Sequence, residues 1–210
     1  MSDNDVDLMA SKKRLESIFW RWWSGLNDVA HDGTNQDRGA LARLRRIDLI
    51  YGPSGRAPDV VSALVEESFR DLVRAVDPIF SLRQMQDDRI EDLVTVAVTL
   101  SRIRSNVGYA TAKRLGGQKD VTENLMKEGR FLALLRTSTS ADLFDQARRL
   151  ANLLGGEAPV GELGMSLLLW RTSPTIRRDW ARDYYKLDLF PSRELGLGAT
   201  AGDEPVSAGA

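Results

Sequence analysis

Apolar residues along this chain recur three and four positions apart almost throughout, the spacing of helices that bury one face. From Ala10 to Ala30, Leu15, Ile18, Phe19, Trp22, Trp23 and Leu26 crowd one side of a first predicted helix. At that spacing the PheTrpArgTrpTrp cluster at 19–23 suits burial better than a platform for stacked bases. A polar loop at Asp32–Gln36 precedes a short helix carrying ArgLeuArgArg. GlyProSerGly at 52–55 then breaks the chain before a helix expected from Pro58 to Val76. The run ValThrValAlaValThrLeu at 94–100 has the composition of a strand. Leu93, Val96, Ala97, Leu100 and Ile103 nevertheless keep helical spacing, which predicts a helix from Asp87 to Arg104.

Asn106–Lys119 contains Gly108, Gly116 and Gly117 and is the expected boundary between two parts. The pattern predicts an all-α fold: two small helical bundles joined by a glycine-containing linker, with an N-terminal helical subdomain at 10–106 and a C-terminal bundle at 120–188. Residues 191–210 offer little to bury and are expected to form a disordered tail. The C-terminal bundle contains three amphipathic helices edged with arginine. Phe131, Leu134 and Leu135 form the stripe of the first, with Arg130 and Arg136 on its flanks. Leu143, Ala147, Leu150, Ala151 and Leu154 face inward in the second, leaving Arg148 and Arg149 outside. In the third, Ile176, Trp180 and Leu187 pack while Arg178, Arg182 and Lys186 recur every four residues as a cationic row. Ser173 followed by Pro174 marks that helix's start. Trp170 and Trp180 are assigned to the core of this bundle.

A charged fraction of 28% beside 42% hydrophobic residues is that of an ordinary soluble domain. The absence of cysteine excludes disulfides, a thiol nucleophile and cysteine-ligated zinc, and it fits a reducing, cytoplasmic compartment. No signal peptide is expected at MSDNDVDLMASKKR, and every long apolar stretch is broken by charge, so no membrane span is expected either. The net charge of −1 conceals an uneven distribution: residues 1–9 carry −3 and residues 191–210 carry −2, leaving +4 between them. Arginine outnumbers lysine by 23 to 6, which suits phosphate recognition and equally suits a GC-rich genome. Phosphate-loop, serine-elbow and zinc-protease motifs are absent, and the single histidine, His31, reads as a polar loop residue. Acidic pairs such as Asp87 with Asp88 and Glu66 with Glu67 suit helix starts and polar faces. No enzyme activity, metal or cofactor is therefore expected.

The basic clusters differ in how far acids neutralise them. Arg38, Arg43, Arg45 and Arg46 span nine residues without an acid, Arg43 and Arg46 sharing one helix face and Arg38 and Arg45 another. Asp145 is spaced to pair with Arg148 or Arg149, and Asp179 and Asp183 blunt the row of Arg178 and Arg182. Phosphate contact and surface ion pairing both remain open on this pattern.

Several of these elements together resemble the CasB family, the small subunit of the type I-E CRISPR interference complex, Cascade. They are ArgPheLeuAlaLeuLeuArg at 130–136, AlaAspLeu then AlaArgArgLeu within 141–150, LeuLeuTrp at 168–170, and ArgArgAspTrpAlaArgAspTyrTyr at 177–185. A weaker echo lies in PheTrp at 19–20 and in 38–46. The resemblance implies an all-α subunit without activity of its own. Such a subunit assembles head to tail with a second copy, beside the backbone and large subunits, and holds the guide RNA and the separated target DNA strands of an R-loop. It implies nucleic-acid contacts at Arg45, Arg46, Arg130, Arg136, Arg148, Arg149, Arg171, Arg177 and Arg178, to which the acid-free run adds Arg38 and Arg43 and the cationic row adds Arg182 as candidates. The alternative is a helical protein-interaction adaptor without nucleic-acid contacts.

Overall fold

The computed structural model describes residues 3–27, 37–52, 55–80, 88–117 and 124–187. His31, the loop at Asp32–Gln36 and the tail at 191–210 lie outside the described residues. In chain order the helices are α1 (Asp3–Asn27), α2 (Arg38–Arg46), α3 (Val60–Val65), α4 (Glu67–Phe80), α5 (Asp88–Leu100), α6 (Thr111–Leu115), α7 (Glu128–Leu135), α8 (Ser140–Leu153), α9 (Val160–Leu169) and α10 (Pro174–Tyr184). Strands β1 (Leu49–Gly52) and β2 (Gly55–Pro58) form an antiparallel hairpin, and β3 (Ser105–Asn106) and β4 (Glu157–Ala158) a two-residue parallel pair. The chain is mostly helical, as its periodicity predicts.

Two helices form the centre. In α5 every residue from Asp92 to Leu100 is buried, and in α9 all but Gly161 and Glu162 are. A helix covered on all sides has no polar face to display, which accounts for the strand-like composition of 94–100 and for the low amphipathicity of GELGMSLLLW. Helix α8 and helix α9 pack on α5, α1 packs on α9 and α4, and the buried apolar side chains of both halves join in one cluster. A Cβ at Gly161 would stand 2.7 Å from the Glu16 carbonyl oxygen, and one at Gly164 2.7 Å from the Phe19 ring. The absence of side chains at these two positions brings α1 onto α9.

Three local expectations are corrected. The helix expected over 58–76 is two helices, because Glu66 is extended between them and the Arg70 guanidinium donates to the Leu64 and Val65 carbonyls at the end of α3 (2.8 and 2.7 Å). The C-terminal region holds α9 in addition to the three amphipathic helices. Leu187 does not pack: it is 46% exposed, and Tyr184 takes the buried place beside Ile176 and Trp180. The cause is the helix stop. Lys186 adopts φ 53°, the Leu187 amide donates to the Arg182 carbonyl (3.0 Å) and the Lys186 amide to Asp183 (3.3 Å), closing α10 and carrying Lys186 off the cationic row.

The tryptophans behave as their spacing predicts. Trp170 and Trp180 are buried edge to face at 4.9 Å between ring centroids, each indole donating to a hydroxyl, Thr137 and Ser166 respectively. Phe19 and Trp23 are buried and Trp20 is exposed. The Trp23 indole donates to the Ile103 carbonyl at 3.0 Å, tying α1 to the end of α5.

Candidate nucleic-acid interface

The end of α5 positions the first group of cations. After Leu100 the chain tightens, with the Arg102 amide donating to Thr99 and the Ile103 amide to Leu100, so that Arg102 and Arg104 flank a buried Ile103. Helix C-termini leave carbonyls without amide partners, and two guanidiniums take them up. Arg102 Nη1 donates to the Val98 carbonyl (3.0 Å), and Arg45 Nε, from α2, donates to that of Ser101 (2.7 Å). Arg102 Nη2 in turn donates to the Arg45 carbonyl at 3.0 Å. Arg45, Arg102 and Arg104 thereby line one cavity of about 320 Å³, which Asn152 and Gly156 close from the far side.

A second cavity of about 670 Å³ runs between α7 and α8, with Arg130 and Arg149 in its wall and Met126, Ala133 and Leu153 as apolar lining. Asn152 belongs to both cavities, so the two adjoin and five arginines follow one strip across α2, the end of α5, α8 and α7. The charges of Arg45, Arg102 and Arg104 are close enough to interact with one another or with Arg148. Burial, and after it Arg104, holds the Arg45 guanidinium below its ordinary pKa. Burial, then Arg148 and Arg45, does the same to Arg102, with Asp48 opposing. Arginine stays protonated under such shifts, so the result is a concentrated positive field facing solvent.

The other candidates divide by partner. Arg148 donates to Asp48 at 2.7 Å and lies over the Phe144 ring at 5.5 Å. Asp145, spaced to pair with Arg148 or Arg149, meets Arg56 of the hairpin at 3.5 Å. Arg43 is paired with Glu66 at 2.7 Å in a third cavity, of about 310 Å³, which Arg46, Asp48 and Asp59 also line. Arg182 sits between Asp179 and Asp183, both at 3.4 Å, as the sequence spacing predicts. Arg171 is held by the buried Asp92 through two hydrogen bonds, of 2.8 and 3.1 Å, and supports the core. Arg38 opens α2, Arg136 closes α7, and Arg178 lies on α10; all three are exposed, whereas Arg177 is half-buried, and none of the four lines either cavity of the strip.

Sequence inspection passes over Arg102 and Arg104. Their signal is faint but present: residues 93–119 carry Arg102, Arg104, Lys113, Arg114 and Lys119 and no acid. Among the described residues no group of three or more His, Asp or Glu side chains is placed to hold a metal ion, and no helix is long and apolar enough to cross a membrane.

The sequence model for the family described as CRISPR-associated protein Cse2 matches residues 40–185. Two crystal structures share the fold, both of proteins from Thermus thermophilus: a CRISPR-associated protein of the Cse2 family, and CasB. Each is 22% identical with a TM-score of 0.51, over 81% of this chain and 97% of the other. No curated protein sequence matches significantly.

Proposed function

Given that the chain belongs to the Cse2 family, the small subunits of the CRISPR interference complex Cascade, we propose that it grips the sugar-phosphate backbone of guide RNA and separated target strands without reading their sequence. The observation that carries this reading is the strip of Arg45, Arg102, Arg104, Arg149 and Arg130, drawn from four elements into adjoining cavities. Guanidinium forks fit phosphate oxygens and make no distinction among bases. Exchange of a DNA duplex for an RNA–DNA hybrid is nearly balanced per base pair, so modest contacts to separated strands tip it toward the open R-loop. In this reading the subunit holds strands and does not cut them.

Binding of the full chain to unrelated single-stranded oligonucleotides tests this. Affinity should fall steeply with added salt and be similar across sequences. Arg130→Glu with Arg149→Glu should lower affinity on every sequence alike while leaving thermal unfolding unchanged. Salt-independent binding, or strong preference for one sequence, would overturn it.

A protein-contact surface is favoured independently by Tyr51, Val61 and Val65, which are 86, 72 and 70% exposed on the hairpin and α3. Val61 and Val65, four residues apart, share one face of α3, and exposed apolar side chains on one face suit a neighbouring subunit. That surface is compatible with strand binding, and it is what the adaptor alternative would use by itself.

A further inference from the structure

We propose that the cavity bounded by Arg45, Arg102 and Arg104 is a discrete seat for one phosphate group, set into the more open track of the basic face. The proposal rests on the strand-binding reading for its occupant, a phosphodiester of the bound strand; the same chemistry accepts free inorganic phosphate.

Three arginines line this cavity and no carboxylate does. Asp48, the carboxylate that acts on Arg102, is engaged by Arg148 at 2.7 Å. Two of the three guanidiniums are anchored before any ligand arrives: Arg45 by Nε on the Ser101 carbonyl, and Arg102 by both terminal nitrogens, on the carbonyls of Val98 and Arg45. Anchoring removes rotamer freedom that a ligand would otherwise have to remove. It also leaves donors over. Among the described residues Arg45 Nη1 and Nη2, Arg102 Nε and the whole Arg104 guanidinium meet no protein acceptor.

The Gly155–Gly156 turn packs against Arg104. Gly156 has φ +87°, a backbone angle that favours glycine, its carbonyl accepts from the Arg104 amide at 2.6 Å, and a Cβ there would stand at ordinary contact distance from the arginine stem, 3.4 Å from Cγ and 3.5 Å from Cδ. The groove of Arg130 and Arg149 differs in kind, being larger, partly apolar and without a comparable backbone anchor on either arginine. A tetrahedral oxyanion matches the seat because its oxygens can accept from the terminal nitrogens of Arg45, from Arg102 Nε and from the Arg104 fork, while its charge offsets the mutual repulsion of the three cations.

Thermal unfolding of the full chain in sodium phosphate, against sodium chloride at matched ionic strength, tests the seat. Phosphate should raise Tm saturably where chloride does not. Arg104→Gln should weaken phosphate roughly tenfold or more, and Arg104→Lys, which keeps the charge and loses the fork, should fall between the two. Arg104 is exposed, so neither change threatens the core, and Arg74→Gln on α4 serves as the control that keeps the full response. Phosphate stabilising no better than chloride, or equally well in Arg104→Gln, overturns the seat and leaves the strand reading standing. A parallel arm follows displacement of a labelled single strand by phosphate. Arg104-dependent stabilisation together with an oligonucleotide that fails to bind upholds the seat as a free-phosphate site and removes the strand reading.

Discussion

One residue type has three fates in this molecule, and the partners around each guanidinium decide among them. Arg182 lies between two exposed carboxylates, an arrangement that contributes about 0 to 1 kcal/mol in water and little more than local order. Arg45 and Arg102 stand among like charges and backbone carbonyls, a configuration that stabilises an arriving anion more than the free protein. Arg171 makes a two-pronged pair with Asp92, which is fully buried at the start of α5. Removing one member of such a pair strands the other in a dry environment. Arg171→Ala should therefore lower stability by about 3 to 5 kcal/mol, read as a fall in the urea midpoint. A near-native midpoint with weakened strand binding would move Arg171 from the core to the basic face, where its family resemblance first put it.

At the scale of elements the contact of α1 with α9 sets two effects against each other. Helix propensity alone favours Ala over Gly by about 1 kcal/mol. At Gly161, however, the new methyl would meet the backbone of Glu16 at 2.7 Å, and a backbone atom cannot rotate aside. Overpacking of this kind costs about 1 to 3 kcal/mol, so Gly161→Ala should lower the thermal midpoint despite its better propensity. A raised midpoint would show that α1 can slide along α9. Such contacts also explain what the sequence could and could not reveal. The stripes of α1, α7 and α8 were legible because each helix keeps one wet face, and its arginines mark that face. Helix α9 was not, because full burial erases the polar half of the pattern. The break at Glu66 and the early stop at Lys186 depend on Arg70, on Arg43 and on a left-handed backbone angle, none of which periodicity records. Of the basic face, Arg45 stood out in an acid-free run, and Arg130 and Arg149 on the flanks of apolar helical stripes, Arg149 with Asp145 in pairing distance along the helix. Arg102 and Arg104 became visible only when the end of α5 folded back against α2 and the Gly155–Gly156 turn.

For the whole molecule, the join between halves is the deciding feature. Helix α1 of the first half lies on α9 of the second, and α5 lies on α8 and α9, with one continuous set of buried side chains between them. Neither half can lose its packing without exposing the other. The protein should unfold in a single transition, with tryptophan fluorescence and far-ultraviolet circular dichroism giving coincident curves; two separated transitions would show that the halves hold together less than this core implies. The same joining of distant segments brings Asp48, at the root of the hairpin, to Arg148 on α8. At that point the protein carries its own counterion. A strand that reaches Arg148 does not simply add a contact: it trades places with a carboxylate, and no salt ion need leave for solution. Ion-exchange stoichiometry should accordingly count only the phosphates held by the strip, one at the seat of Arg45, Arg102 and Arg104 and one each at Arg130 and Arg149, giving a salt slope of about −2 on single strands, at about −0.7 per phosphate. Arg43, Arg148 and Arg182 would shape where a strand lies while staying invisible to that measurement. Neutralising Asp48 would turn one silent exchanger into a counted site.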